Sequence, residues 1–232
     1  MRGVDFVINY RGITYVEQSI EIKLEPTAGH FKEAAIALYA GDSVLDVGGR
    51  EGKYAKHALS LGKSATLCDI EPKCAEEGGL KVVTGDALDL PFPDKSFDTV
   101  LCLDVLEHVE DDAAALVEAC RVARRNVLIS VPRADGHTTS ASGLAFRHYR
   151  DESHRRYYTE KSFRKLLEGA PGIDFGMCAF SRVRPARYYT DAGGPKILAR
   201  LADAMLWLFT WRKENLLRNF FGVVRVAAGD KS

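Results

Sequence analysis

The sequence is poor in cysteine, methionine and tryptophan, with 5, 3 and 2 residues among 232. Cys68, Cys74, Cys102, Cys120 and Cys178 form no C-x-x-C pair, and an odd count fits reduced thiols better than a disulfide framework. Cys102 sits inside an apolar run and reads as core filler. No charge of one sign prevails either: Lys and Arg number 32, Asp and Glu 32. That balance removes the usual electrostatic ground for gripping nucleic acid. Long hydrophobic runs are missing too. The longest, residues 204–211, falls well short of the ~20 residues that cross a bilayer. Residues 1–10 lack the basic patch and apolar stretch of a signal peptide. A cytoplasmic protein, at most peripheral at a membrane surface, is expected.

What is present is an ordinary globular mixture, 46% hydrophobic and 28% charged, with 20 Gly. It argues against a disordered chain, a collagen-like fibre or a small disulfide knot. A chain of this length suits one domain burying ~70–75% of its unfolded surface. The zero net charge hides an asymmetry. Residues 1–120 carry 11 basic and 22 acidic side chains, whereas 121–232 carry 21 and 10. Such a split marks either chance surface patterning or an anionic partner on the basic side.

Along the chain, β-branched and aromatic residues between Phe6 and Leu24 predict a hairpin or arm. The spacing of Phe31, Ala34, Ala35 and Leu38 predicts a helix over 30–39. Apolar runs at 44–47, 65–68, 81–83, 99–103 and 126–131 then alternate with helical stretches at 53–61 and 111–123. This alternation predicts a parallel sheet with helices on both faces. A polar loop follows over 133–158, then a helix over 159–167 behind a Thr159 cap, and strands at 173–183 and 220–227.

The strongest local pattern is Val44-Leu45-Asp46-Val47-Gly48-Gly49-Arg50-Glu51-Gly52. A buried strand ends in an acidic residue, and a glycine-rich turn opens a helix whose first N–H groups lack partners. Asp69 ends the second strand, at a distance suited to ribose hydroxyls. Gly85-Asp86-Ala87 ends the third. Ligands of open α/β sheets bind along that carboxyl edge. A glycine turn alone also serves merely to turn a chain, and a nicotinamide-binding reading gives no role to Asp86 or to Leu106-Glu107-His108-Val109.

Over 41–131, and more loosely 151–167, the sequence resembles the class I S-adenosylmethionine-dependent methyltransferases of small molecules. Val44–Gly52 is similar to the family's D-x-G-x-G-x-G motif, and Asp98–Val109 to its fourth-strand signature. The resemblance implies a doubly wound, mostly parallel seven-stranded sheet with the last strand antiparallel between the fifth and sixth. It implies S-adenosylmethionine as cofactor, with Asp46, Gly48, Gly49 and Gly52 about the methionine part, and Leu103 flanking it. Asp69, with Ile70 beside it, would serve the ribose side, and Asp86 and Ala87 the adenine. There is one departure: Arg50 stands where the motif's middle glycine would fall.

The resemblance divides a single domain into an arm and helix (1–40), a cofactor core (41–131), and substrate-side connections at 132–158 and 184–219. The second connection, between the last two strands, reads as an amphipathic helical insertion. It is open to three roles: a lid, a membrane-surface contact through 196–218, or a dimer contact, leaving monomer and homodimer both open. Residues 153–159 resemble the corresponding stretch of quinone-ring O-methyltransferases, which makes His154 the first candidate base and His148 the second. Glu107 and His108 fit a helix start, where an acidic group or a packing histidine needs no catalytic role. Metal assistance is not expected, because it requires several oxygen ligands, and Asp104 and Glu107 have no third beside them. The expected reaction is methyl transfer to a small or lipid-linked acceptor, at oxygen. N- or C-methylation and a non-catalytic cofactor-binding protein are the alternatives.

Overall fold

The computed structural model describes residues 8–9, 13–14, 20, 22–24, 30–133, 151–182, 197, 201 and 217–226. Seven strands form one sheet: β1 (Ser43–Val47), β2 (Ser64–Asp69), β3 (Lys81–Thr84), β4 (Phe97–Leu103), β5 (Ala123–Pro132), β6 (Asp174–Arg182) and β7 (Leu217–Arg225). Their order is β3-β2-β1-β4-β5-β7-β6. The first five run parallel, and β7 pairs antiparallel with both β5 and β6. Helices α1 (Phe31–Tyr39), α2 (Lys53–Ser60), α3 (Asp112–Val122) and α4 (Glu160–Glu168) pack on the faces. Ile8–Asn9 pairs antiparallel with Ile13–Thr14, as the predicted hairpin requires.

The central strands are apolar in nearly every position because both faces are covered. Successive side chains divide between two cores: Leu45, Val100 and Phe220 enter one, while Val44, Leu101 and Phe221 enter the other. On the first face α4 starts at Thr159, whose hydroxyl accepts from Ser162 N–H while Ser162 Oγ accepts from Thr159 N–H. It buries Phe163, stacked on Phe220 with ring centroids 5.7 Å apart. Phe163→Ala is expected to cost ~3–5 kcal/mol, read by urea unfolding.

Several strands start before their apolar runs, β5 and β7 by the most. β5 begins directly after α3 because Arg124 lies exposed along its start, its guanidinium bonded to Asp98 Oδ1 at 3.1 Å. β7 extends back to Leu217 through its pairing with Arg182. The predicted insertion between β6 and β7 falls outside the described residues, save Ile197 and Leu201, which are helical and exposed. Most of the 133–158 loop, with His137 and the second base candidate His148, also lies outside them.

Because β1 to β5 are parallel, the residues following each of them meet at one edge of the sheet. A bridge between Arg133 and Tyr158 returns the segment beginning at Asp151 to the same edge.

Candidate active site

The chain leaves β1 through Gly48 at φ 68°. A Cβ there would lie 2.8 Å from Val105 Cγ2, so the turn after β1 rests directly on the turn after β4. At Gly49 the constraint is contact: a Cβ would come 2.4 Å from Asp46 Oδ2 and 2.7 Å from Leu67 Cδ1. Arg50, in place of the motif's middle glycine, adopts φ 42°. A non-glycine residue holds that left-handed conformation at ~1–2 kcal/mol. The backbone path needed there is thus kept without the glycine, and Arg50 N–H donates to Asp69 Oδ2 at 3.0 Å.

Asp46 lies beneath this turn, 1% exposed, its Oδ2 accepting from Ala55 N–H at 3.0 Å in the first turn of α2. It anchors the helix that the glycine turn opens. Burial, reinforced by the charge of Asp69 and opposed by the Ala55 hydrogen bond, pushes its carboxyl up to about 7. The folded chain therefore holds this proton more tightly than the unfolded one, and stability falls as pH rises from about 4 through about 7. Asp46→Asn keeps an acceptor and removes that dependence. Its melting temperature is expected to gain on the parent between pH 5 and pH 8, by on the order of 5 °C.

Asp69 is nearly buried and takes Arg50 N–H on Oδ2 and Glu71 N–H on Oδ1. Each carboxylate oxygen has two acceptor sites, so capacity remains for ligand hydroxyls. Ile70 follows with its side chain 72% exposed at the same edge. Asp86 is exposed and orders its own turn, with Oδ1 accepting from Leu88 N–H at 2.9 Å. Ala87 packs against the core, and Leu103 is buried at the end of β4.

Past β4, Asp104 holds φ 61° and is fixed on three sides. Its N–H donates to Ser130 O at 2.9 Å, Oδ1 accepts from Ser130 Oγ at 2.8 Å, and Oδ2 pairs with the buried Lys32 ammonium from α1. Lys32 carries no motif signal, and only the fold brings it to Asp104.

Glu107 and His108 are not in the first turn of α3, which Asp111 caps by accepting from Ala114 N–H at 2.9 Å. They belong to the turn between β4 and that helix. Glu107 is 1% exposed, and neither carboxylate oxygen has a hydrogen-bond partner among the described residues. Burial first, and Asp104's charge second, push its carboxyl up to about 8. The returning segment is lashed to this turn: Arg155 N–H donates to Glu107 O, the Arg156 guanidinium to Leu106 O, and Tyr158 OH to Leu106 O. His154 consequently meets His108 edge-on, with ring centroids 4.6 Å apart. Burial and the neighbouring His108 hold the His154 imidazole below its usual pKa, so it is predominantly neutral near pH 7. Glu107, His108 and His154 each offer a ligand atom, all within 4.8 Å of one another. The sequence reading reached His154 but missed this trio, because its members are far apart in the chain and follow no metal-ligand spacing.

Residues 45–131 match the family described as methyltransferase domain. Over that segment, less than half of the chain, it resembles the class I S-adenosylmethionine-dependent methyltransferases. A demethylmenaquinone methyltransferase of Thermobifida fusca is 34% identical over 101 residues, covering 39% of this chain and 43% of the relative. An O-methyltransferase of Aspergillus sclerotiorum is 30% identical over 126 residues, covering 48% of each. The match thus spans less than half the length of each of these two curated relatives. A S-adenosylmethionine-dependent methyltransferase from Archaeoglobus fulgidus shares the fold at a TM-score of 0.60, with 18% identity, over 84% of this chain and 92% of that one.

S-adenosylmethionine is the cofactor of this class, and the methyltransferase domain's residues fit it. Gly48 and Gly49 admit no side chain, because Val105, Asp46 and Leu67 fill the space one would take, so the turn after β1 is bare backbone at the carboxyl edge of the sheet. Asp69 closes the turn with acceptor capacity to spare, and exposed Ile70 offers an apolar surface next to it.

Proposed function

We propose that this chain transfers the methyl group of S-adenosylmethionine to an oxygen of a small or lipid-linked acceptor. When bound, that cofactor supplies an electrophilic methyl carbon with a neutral thioether as leaving group. The chain's task is then to hold donor and acceptor in line, which accounts for much of the acceleration of such a displacement. The turn 48–52 and Asp69 hold the donor; Asp86, Ala87 and Ile70 flank its ring. Val105 packs the donor turn against the segment carrying Glu107 and His108, so the two halves of the site cannot drift apart.

The observation that carries the reading is the placement of this open turn and the Glu107–His108–His154 cluster at one edge of the sheet. A hydroxyl must lose its proton as the new O–C bond forms, whereas an amine can lose it afterwards to water. A cluster of two half-buried imidazoles and a buried carboxylate suits the first case. The name of the demethylmenaquinone relative supports a lipid-linked ring as the acceptor.

The test incubates the purified chain with S-adenosylmethionine and metabolite or lipid extracts. S-adenosylhomocysteine release with products heavier by one CH₂, fragmenting to place the methyl on oxygen, is the expected result. Cofactor binding without release from any extract would favour a non-catalytic binding protein.

A further inference from the structure

We propose that Glu107, His108 and His154 form a binding site for one divalent transition-metal cation of the zinc type. The three ligand atoms lie within 4.8 Å of one another. Bonds near 2.1 Å place tetrahedral ligand atoms roughly 3.4 Å apart, a closure that side-chain rotation can supply. One carboxylate oxygen with two imidazole nitrogens is a borderline donor set, suited to Zn²⁺ and its transition-metal neighbours rather than to Mg²⁺, which prefers oxygen throughout.

Two independent observations distinguish the trio from packed histidines. Glu107 is 1% exposed with both carboxylate oxygens unpartnered among the described residues. Buried carboxylates are ordinarily hydrogen-bonded, paired or bound to metal. The histidines also have oriented surroundings. His108 Nδ1 lies 3.3 Å from Ser153 O and 3.0 Å from Ser153 Oγ. Donation from Nδ1–H to that carbonyl would fix the tautomer that leaves Nε2 free to ligate, the usual arrangement behind a metal-bound histidine. Asp151 stands 3.7 Å from His154 Nε2. Around the trio, the Asp104 and Asp151 carboxylates favour a dication, and the nearby Lys32 ammonium is already paired with Asp104.

Three protein ligands leave a fourth position open. The role of that position rests on the methyl-transfer reading. The acceptor's oxygen would take it, its acidity raised by the cation, and its proton would pass to solvent. As the O–C bond forms, the C–S bond breaks and its electron pair remains on sulfur, so no redox partner is needed.

The test is metal content of the full chain after loading with Zn²⁺ and gel filtration, beside Glu107→Gln and His154→Ala, with Mg²⁺ as the comparison. One equivalent of zinc per parent chain, with affinity lowered ~100-fold or more in both variants, is expected, since each loses a direct ligand. Less than one equivalent, or retention unchanged by Glu107→Gln, would overturn the site and would assign any bound zinc to other side chains, the five cysteines included. S-adenosylmethionine titration of the same metal-free samples reports whether each variant is folded. Failure of that titration in the parent would count against the methyl-transfer reading alone.

Discussion

Asp69→Ala is expected to weaken S-adenosylmethionine binding by ~100-fold or more, measured by calorimetric titration. Hydrogen bonds to a charged acceptor contribute roughly 1.5–3 kcal/mol each, and ribose hydroxyls would offer two. The substitution also frees Arg50 N–H, so the turn after β1 loses the tie that steadies its left-handed residue. Both effects act on the donor side. Asp69→Asn should fall between parent and alanine, because an amide oxygen can still receive Arg50 N–H.

On the acceptor side, His154→Ala is expected to lower turnover by ~10²–10⁴, the range for losing assistance to the acceptor's deprotonation, whether His154 takes the proton itself or holds the cation that acidifies the acceptor. Affinity for S-adenosylmethionine should change by less than about twofold. The physical ground is the separation of tasks: His154 touches His108 and Tyr157 and approaches Asp151, none of which belongs to the turn 48–52. The backbone bond from Arg155 to Glu107 does not involve the imidazole, so the segment should remain docked. Turnover by stopped assay and affinity by titration separate this outcome from general unfolding, which would lower both.

The sheet and its cofactor edge were legible in the sequence because their signals are local. Val44–Val47 and Val100–Leu103 carry apolar residues on both faces, Asp69 ends its strand, and Gly48 and Gly85 follow strand ends directly. Arg50 was legible as a departure but not as a solution, since only the backbone reveals a left-handed arginine keeping the glycine's path. Asp46 is legible as the motif's acidic residue, whereas its hydrogen bond from Ala55 N–H beneath the loop is set by the fold alone. The acceptor side was legible only in part. Lys32 with Asp104, and Glu107 with His154, pair residues brought together by helix packing and by the bridge at Arg133 and Tyr158. Counting oxygen ligands along the sequence therefore missed a cluster whose other members are imidazoles. Of the charge asymmetry, the acidic half contains Asp46, Asp69 and Asp86, while most of the two connections in the basic half lies outside the described residues.

The most direct test of a donor site built on Gly48–Gly52 and Asp69 is a calorimetric titration of the parent chain with S-adenosylmethionine, repeated on Asp69→Ala. Saturable binding of one equivalent to the parent, weakened ~100-fold or more in the variant, is the result predicted here. No heat of binding to the parent, or identical isotherms for both proteins, would contradict it.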